Sequence, residues 1–284
     1  MYMIIGFLGK GGSGKTTLAT LYTKYLLEND KSILALDNDH NMDFKFNLGH
    51  VGDMNWMGQS LSEIFEKISI TSTKEVADID AEYIFSMNPA DTVTEKYTTK
   101  ILDKDTGKDL LLMAAGPHTA DMMYGNMCSH GLTTPLKVYL PFLKLNDNEF
   151  VIVDEKAGTD GVGTGVTTGF NLAVVVAEAT THGIKAAKQI IDMLKFYKTP
   201  YIVCVNKIRD IKDENAYDKD FLEIDENVLI THFNFDAAAF DLKLSDTYRQ
   251  ELKNIYDYSK KITDDRKERT KERIKNQKDF NEAK

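Results

Sequence analysis

The sequence predicts an α/β protein, a doubly wound and mostly parallel sheet in a three-layer α/β/α arrangement. Short apolar runs alternate with longer stretches of helical period, and several of those runs are apolar at every position. A strand covered by helices on both faces has no polar side, so it reads as a solid run and not as an alternation. Clusters of Gly, Asp and Asn follow the runs, where strands hand over to loops.

The expected strands are residues 3–8, 32–36, 110–114, 150–153, 172–177 and 201–205, with a last short one at 228–231. Helical patterns fill 16–29 and 184–197, the second closed by Pro200. Residues 97–112 read as a hairpin, with Gly107 supplying the positive φ of the turn. The stretch 51–89 suggests short helices, 60–68 being the clearest. The length of 284 residues suits one large domain over 1–258 with an insertion around 51–110, then a charged helix or tail at 259–284.

A formal net charge of -9 argues against a body that grips nucleic acid over a wide surface. The tail is the exception in sign: residues 260–284 hold ten Lys/Arg against six Asp/Glu, in spacings that suit a solvated helix. Cys128 and Cys204 are too few for a disulfide framework. The apolar runs are too short to span a bilayer, and the first residues lack a basic, cleavable leader. A cytoplasmic protein away from membranes is therefore expected.

The first strand runs into Gly9-Lys10-Gly11-Gly12-Ser13-Gly14-Lys15-Thr16-Thr17, and a helix follows. That is the phosphate-loop spacing in the context the motif requires. Residues without a Cβ let successive N–H groups turn inward and form an anion nest. The helix N-terminus adds free donors and the positive end of its dipole. Lys15 is placed to reach the β- and γ-phosphates of a nucleotide, and the Thr16 hydroxyl to ligate Mg²⁺.

The second expected strand ends at Asp37-Asn38-Asp39-His40, beside the loop, where a carboxylate can orient water or hold metal-bound water. Phe150-Val-Ile-Val-Asp154 delivers one acid from an apolar strand, the shape of a Walker B segment, with Asp154 set to hold Mg²⁺ through water. Cys204 lies mid-strand and reads as packing.

The extra lysine, Lys10, makes the loop resemble that of the deviant Walker A ATPases, the group of MinD, ParA and the nitrogenase iron protein. The resemblance implies binding and hydrolysis of ATP with Mg²⁺ by a homodimer, Lys10 reaching across to the partner's nucleotide. It implies a water-positioning aspartate in the first switch, and here the register stays open. Asp37 fits the family's Asp-x-x-x-Asn pattern and Asp39 its Asp-x-Asp pattern. It also implies that Gly158 offers its N–H to the γ-phosphate and that Asn206 pairs with the adenine edge.

Within that group, Asp154-Glu-Lys-Ala-Gly158, the glycine-rich stretch 161–169, the strand end at Glu178 and Asn234-Phe-Asp236 resemble the CooC-type ATPases that assist nickel insertion. A metalloenzyme client is the implied partner. Those proteins carry a Cys-x-Cys metal pair, whereas this chain has Cys128-Ser-His130, a thiolate and an imidazole able to take Ni²⁺ or Zn²⁺ in two subunits. The alternative is a ParA-like positioning ATPase acting on DNA or a scaffold, the basic tail supplying the contact.

Overall fold

Solid apolar strands need cover on two faces, and the computed structural model of the chain supplies it. The structure describes residues 1–87, 90–125, 129–209 and 219–282, with Asp121, Ser129, His130, Asp220, Phe221 and Phe280 described by backbone alone. The strands are β1 (Met3–Gly9), β2 (Ser32–Asp37), β3 (Phe85–Ser86), β4 (Thr98–Asp103), β5 (Lys108–Ala114), β6 (Leu143–Lys144), β7 (Glu149–Asp154), β8 (Leu172–Glu178), β9 (Tyr201–Ile208) and β10 (Ile230–Asn234). Eight of them form one sheet in the order β10-β9-β8-β1-β7-β2-β5-β4. Every pair is parallel except β4–β5, the expected hairpin at one edge.

The two-sided burial is visible residue by residue. Ile5 and Phe7 of β1 and Ala35 of β2 pack with Leu18 and Tyr22 of the helix Lys15–Glu28. Ile4, Leu34 and Leu36 point the other way, into a cluster with Ile64, Val76, Tyr139 and Phe142. Each such side chain, fully buried, contributes about 1.5–3 kcal/mol, so neither face of these strands tolerates a polar residue.

The strand order builds the site. β7 inserts between β1 and β2, so Asp154 stands opposite Phe7 on one side and Asp37 on the other. The loop after β1 and the carboxylates after β2 and β7 thus meet at the carboxyl ends of three adjacent strands, where open α/β sheets bind ligands.

Two expectations need correction. The last strand runs Ile230–Asn234, two or three residues beyond the expected 228–231, because the ladder with β9 begins only at Ile230, opposite Val203, while Val228 is buried ahead of the strand. The tail is helical from Arg266 to Glu282, but its first turns are not solvated. Arg266 is 1% exposed and Arg269 4% exposed. The Arg266 guanidinium donates to the carbonyls of Leu140 (3.3 Å) and Leu143 (2.8 Å), and Arg269 donates to those of Thr168 and Phe170. Charge counting misses this because guanidinium is at home in buried sites that offer several carbonyls. Among the described residues, no helix is long and apolar enough to cross a membrane.

Candidate functional site

β1 ends at Gly9, and the helix Lys15–Glu28 starts after Gly14, which has φ 95° and ψ 16°. A Cβ on Gly14 would lie 2.4 Å from Asn206 Nδ2, so both conformation and space demand glycine there. The helix has no side-chain cap and no acid in its first turn. The helices Thr92–Tyr97, Thr181–Phe196 and Asp246–Ser259 are instead capped by Asp91, Thr180 and Ser245. The loop helix therefore keeps its N-terminal donors and dipole for something outside the chain.

Four side chains meet at that end. Lys15 Nζ lies 3.1 Å from Asp39 Oδ2 and 3.5 Å from Asp154 Oδ1, and the Thr16 hydroxyl donates to Asp154 Oδ2 at 2.7 Å. Burial works against the Lys15 charge, but Asp154 and Asp39 outweigh it and hold the pKa above the ordinary lysine value. Burial pushes Asp154 up to about 6, with Lys15 and Thr16 opposing the rise. A hydroxyl and a carboxylate side by side are hard oxygen donors of the kind Mg²⁺ takes, and they fit that ion.

The two aspartates of the first switch segment differ in what they face. Asp37 is fully buried and accepts from the backbone N–H of Asp39 (3.1 Å) and of Lys45 (2.8 Å), one on each oxygen. It shapes the turn. Burial, with the Asp154 charge adding, pushes it up to about 8. Asp39 is the one turned toward Lys15. Between them, Asn38 donates to Glu155 Oε1 at 2.7 Å, both residues fully buried, so the segments after β2 and β7 are tied together. Sequence reasoning passed over this pair; its signal is a second acid directly after Asp154, at the end of an apolar strand.

Gly158 N–H donates to the Gly9 carbonyl at 2.8 Å, so in this state it closes on the loop and is not open to a ligand. Lys10, Gly11 and Gly12 are exposed, and the Lys10 side chain has no ion pair among the described residues. Ser13 is buried, while Thr17 is partly open beside Gly14.

Asn206, 5% exposed, donates from Nδ2 to the Ser13 carbonyl at 2.9 Å. It lines a cavity of about 60 Å³ with Gly14, Thr17, Lys207, Phe235 and Phe240. The two Phe rings sit 5.4 Å apart and are 46% and 70% exposed, an apolar wall left open toward solvent. The sequence reading picked out Asn206 and the Asn234-Phe-Asp236 segment but missed both rings as site residues. Asp236 caps the short helix Ala237–Phe240 and so fixes how they are presented.

No family model matches the chain. An uncharacterized ATP-binding protein of Methanocaldococcus jannaschii is 27% identical over 216 residues, 73% of this chain and 80% of its own length. A second from the same organism is 28% identical over 252 residues, 85% of this chain and 88% of its own. The carbon monoxide dehydrogenase accessory protein CooC of Rhodospirillum rubrum is 25% identical over 190 residues, 66% of this chain and 67% of its own. Among solved structures, a putative plasmid partition protein of Borrelia burgdorferi bound to AMPPNP superposes with TM-score 0.57 at 14% identity, covering 92% of this chain and 99% of that one. The cell division ATPase MinD of Pyrococcus furiosus gives TM-score 0.57 at 14% identity, covering 90% and 99%. The chain shares the P-loop fold of these solved structures.

Within this P-loop fold, Cys128 lies outside the described residues, as does the side chain of His130. Among the described residues no group of three or more His, Cys, Asp or Glu is arranged to hold a metal ion. His40 is buried at 8% exposure, donates from Nδ1 to the Gly116 carbonyl at 2.8 Å and packs edge-on to His118. Cys204 is fully buried in β9, and burial pushes its thiol up to about 12. It packs, as expected.

Proposed function

We propose that this protein binds ATP with Mg²⁺ and hydrolyses it as a homodimeric switch. The observation that carries the reading is the convergence of Lys15, Thr16, Asp39 and Asp154 on an uncapped helix N-terminus. The two ATP-binding relatives support the choice of nucleotide.

Phosphates entering the loop compete with Asp39 and Asp154 for the Lys15 ammonium. Thr16 and Asp154 would hold Mg²⁺, which would supply positive charge against the phosphates. Asp39, released from Lys15, is placed to orient the attacking water, while Asp37 remains a brace. The adenine lies against Asn206 with Phe235 and Phe240 beside it. Lys10 reaches the nucleotide of a second copy, and Gly158 trades its bond to Gly9 for the γ-phosphate, so that hydrolysis resets the tie. Lys15→Ala tests the core of this: ATP affinity measured by calorimetry in magnesium buffer should fall at least tenfold. Unchanged affinity would sink it.

For the biological role, a maturation ATPase assisting metal insertion into a metalloenzyme is favoured by the sequence likeness to the CooC accessory protein. A ParA-like positioning role is the second reading, favoured by the fold likeness to a plasmid partition protein. Metal analysis of purified protein separates them. Metal near one per dimer, lost in Cys128→Ser, supports the first; absence of metal with ATP-dependent, salt-sensitive retention on DNA supports the second.

A further inference from the structure

Away from the phosphate loop, the C-terminal helix Arg266–Glu282 crosses the short helix Leu136–Tyr139 and the 3₁₀ turn Thr73–Asp78. The cleft between them has a volume of about 100 Å³ and is lined by Lys74, Lys137, Arg273 and Lys278. Gln277 and Asn281 add neutral side-chain amides, and none of the described residues lining it is Asp or Glu. This is unexpected in a chain with 44 acids and 35 Lys/Arg. At the start of the same helix three cations are paired, Arg266 with Asp264, Lys267 with Glu268 and Arg269 with Asp265, and farther along Lys271 donates to the Ile79 carbonyl. The four that line the cleft have no carboxylate partner among the described residues.

They are not all solvated surface groups. Lys137 and Arg273 are half-buried and come from different elements. Burial, with the positive charges of Arg273 and Lys156 adding, lowers the Lys137 pKa from its ordinary value. The Arg273 guanidinium is held in place from two sides. It stacks over the Tyr197 ring at 5.6 Å, and it lies so close to the Gly165 backbone that a Cβ there would fall 2.2 Å from its Cζ. A fixed guanidinium and a half-buried ammonium, with amides at the rim and no carboxylate lining the cleft, lack only an anion.

We propose that this cleft is an oxyanion site, taking a phosphate-sized group between Lys137 and Arg273. A larger groove of about 510 Å³, lined by Arg273, Tyr197 and the exposed Phe196, adjoins it and leaves room for whatever bears the anion. A duplex is too wide for a cleft of this volume, so the group enters as a small molecule or a chain end. Occupancy bears on the segment after β7, because Arg273 rests on Gly165, two residues past the helix Thr159–Gly163 that begins at Gly158.

The test uses the full chain carrying Lys15→Ala, which removes the loop lysine as a competing phosphate ligand. Pyrophosphate and inorganic phosphate are titrated by calorimetry in chloride buffer, with a 20-base-pair duplex as a separate arm. The expected result is pyrophosphate binding that weakens at least tenfold on adding either Lys137→Gln or Arg273→Gln. Circular dichroism melts show whether each variant is folded, and the two substitutions lie on separate elements, so one failing to fold leaves the other. Absence of pyrophosphate binding in Lys15→Ala, or binding indifferent to both substitutions, overturns the proposal. So does binding of the duplex alone, which would mark a surface patch and not a cleft.

Discussion

Asp37 and Asp39 carry the same carboxylate two residues apart, and their surroundings give them different work. Both oxygens of Asp37 are committed to backbone N–H groups, while Asp39 meets the loop lysine. Asp39→Ala should therefore lower kcat for ATP by about 10²-fold or more with the melting temperature nearly unchanged, as expected for a group that acts on the reacting water. Asp37→Asn should do the reverse in emphasis. An amide offers one acceptor where two are needed, so urea unfolding should show a loss of about 1–3 kcal/mol. If the two variants exchanged these phenotypes, the assignment would fail. A plainer residue-scale expectation concerns Cys204, whose thiol is buried and held far above the ordinary range. In a Cys128→Ser background, a thiol reagent at pH 8 should label nothing until the protein is unfolded.

At the scale of elements, the C-terminal helix is a structural part of the sheet's second face. Ile274 joins the cluster that holds Leu34 and Val151, and Arg266 satisfies carbonyls at the end of the helix Leu136–Tyr139 and in β6. Asp264, just before it, accepts from Asn171, which in turn accepts from the Ile4 N–H of β1. Arg266→Ala removes a donor from two buried carbonyls and leaves a guanidinium-sized void, and should cost about 2–4 kcal/mol by chemical denaturation. A loss below half a kcal/mol would mean the helix is only laid against the surface. The helix Lys15–Glu28 shows the opposite arrangement, with its N-terminal end left without a side-chain cap.

For the whole molecule, the sheet order brings three segments far apart in sequence to one edge, and Lys10 is the piece that points outward from it. If it completes a partner's site, Lys10→Ala should still bind ATP, with affinity within a few-fold, yet lose ATP-dependent dimers in light-scattering chromatography. Dimers that persist with full turnover would return Lys10 to an ordinary solvated lysine.

The loop of residues 9–17 between β1 and its helix was legible from sequence alone, because glycine spacing followed by a lysine and a hydroxyl marks such a turn wherever a strand meets a helix. The parallel sheet was legible for a related reason, since burial on two faces leaves no polar positions in a strand. What sequence could not decide was which side chain faces which. The turn of Asp39 toward Lys15, the Asn38–Glu155 tie, the placing of Phe235 and Phe240 beside Gly14 and the buried arginines of the tail depend on partners tens of residues away or more. Local pattern records what a residue is and how often it recurs. Only the packed chain fixes the distances at which a carboxylate meets an amide or a guanidinium finds its carbonyls, and those distances set charge, burial and chemistry.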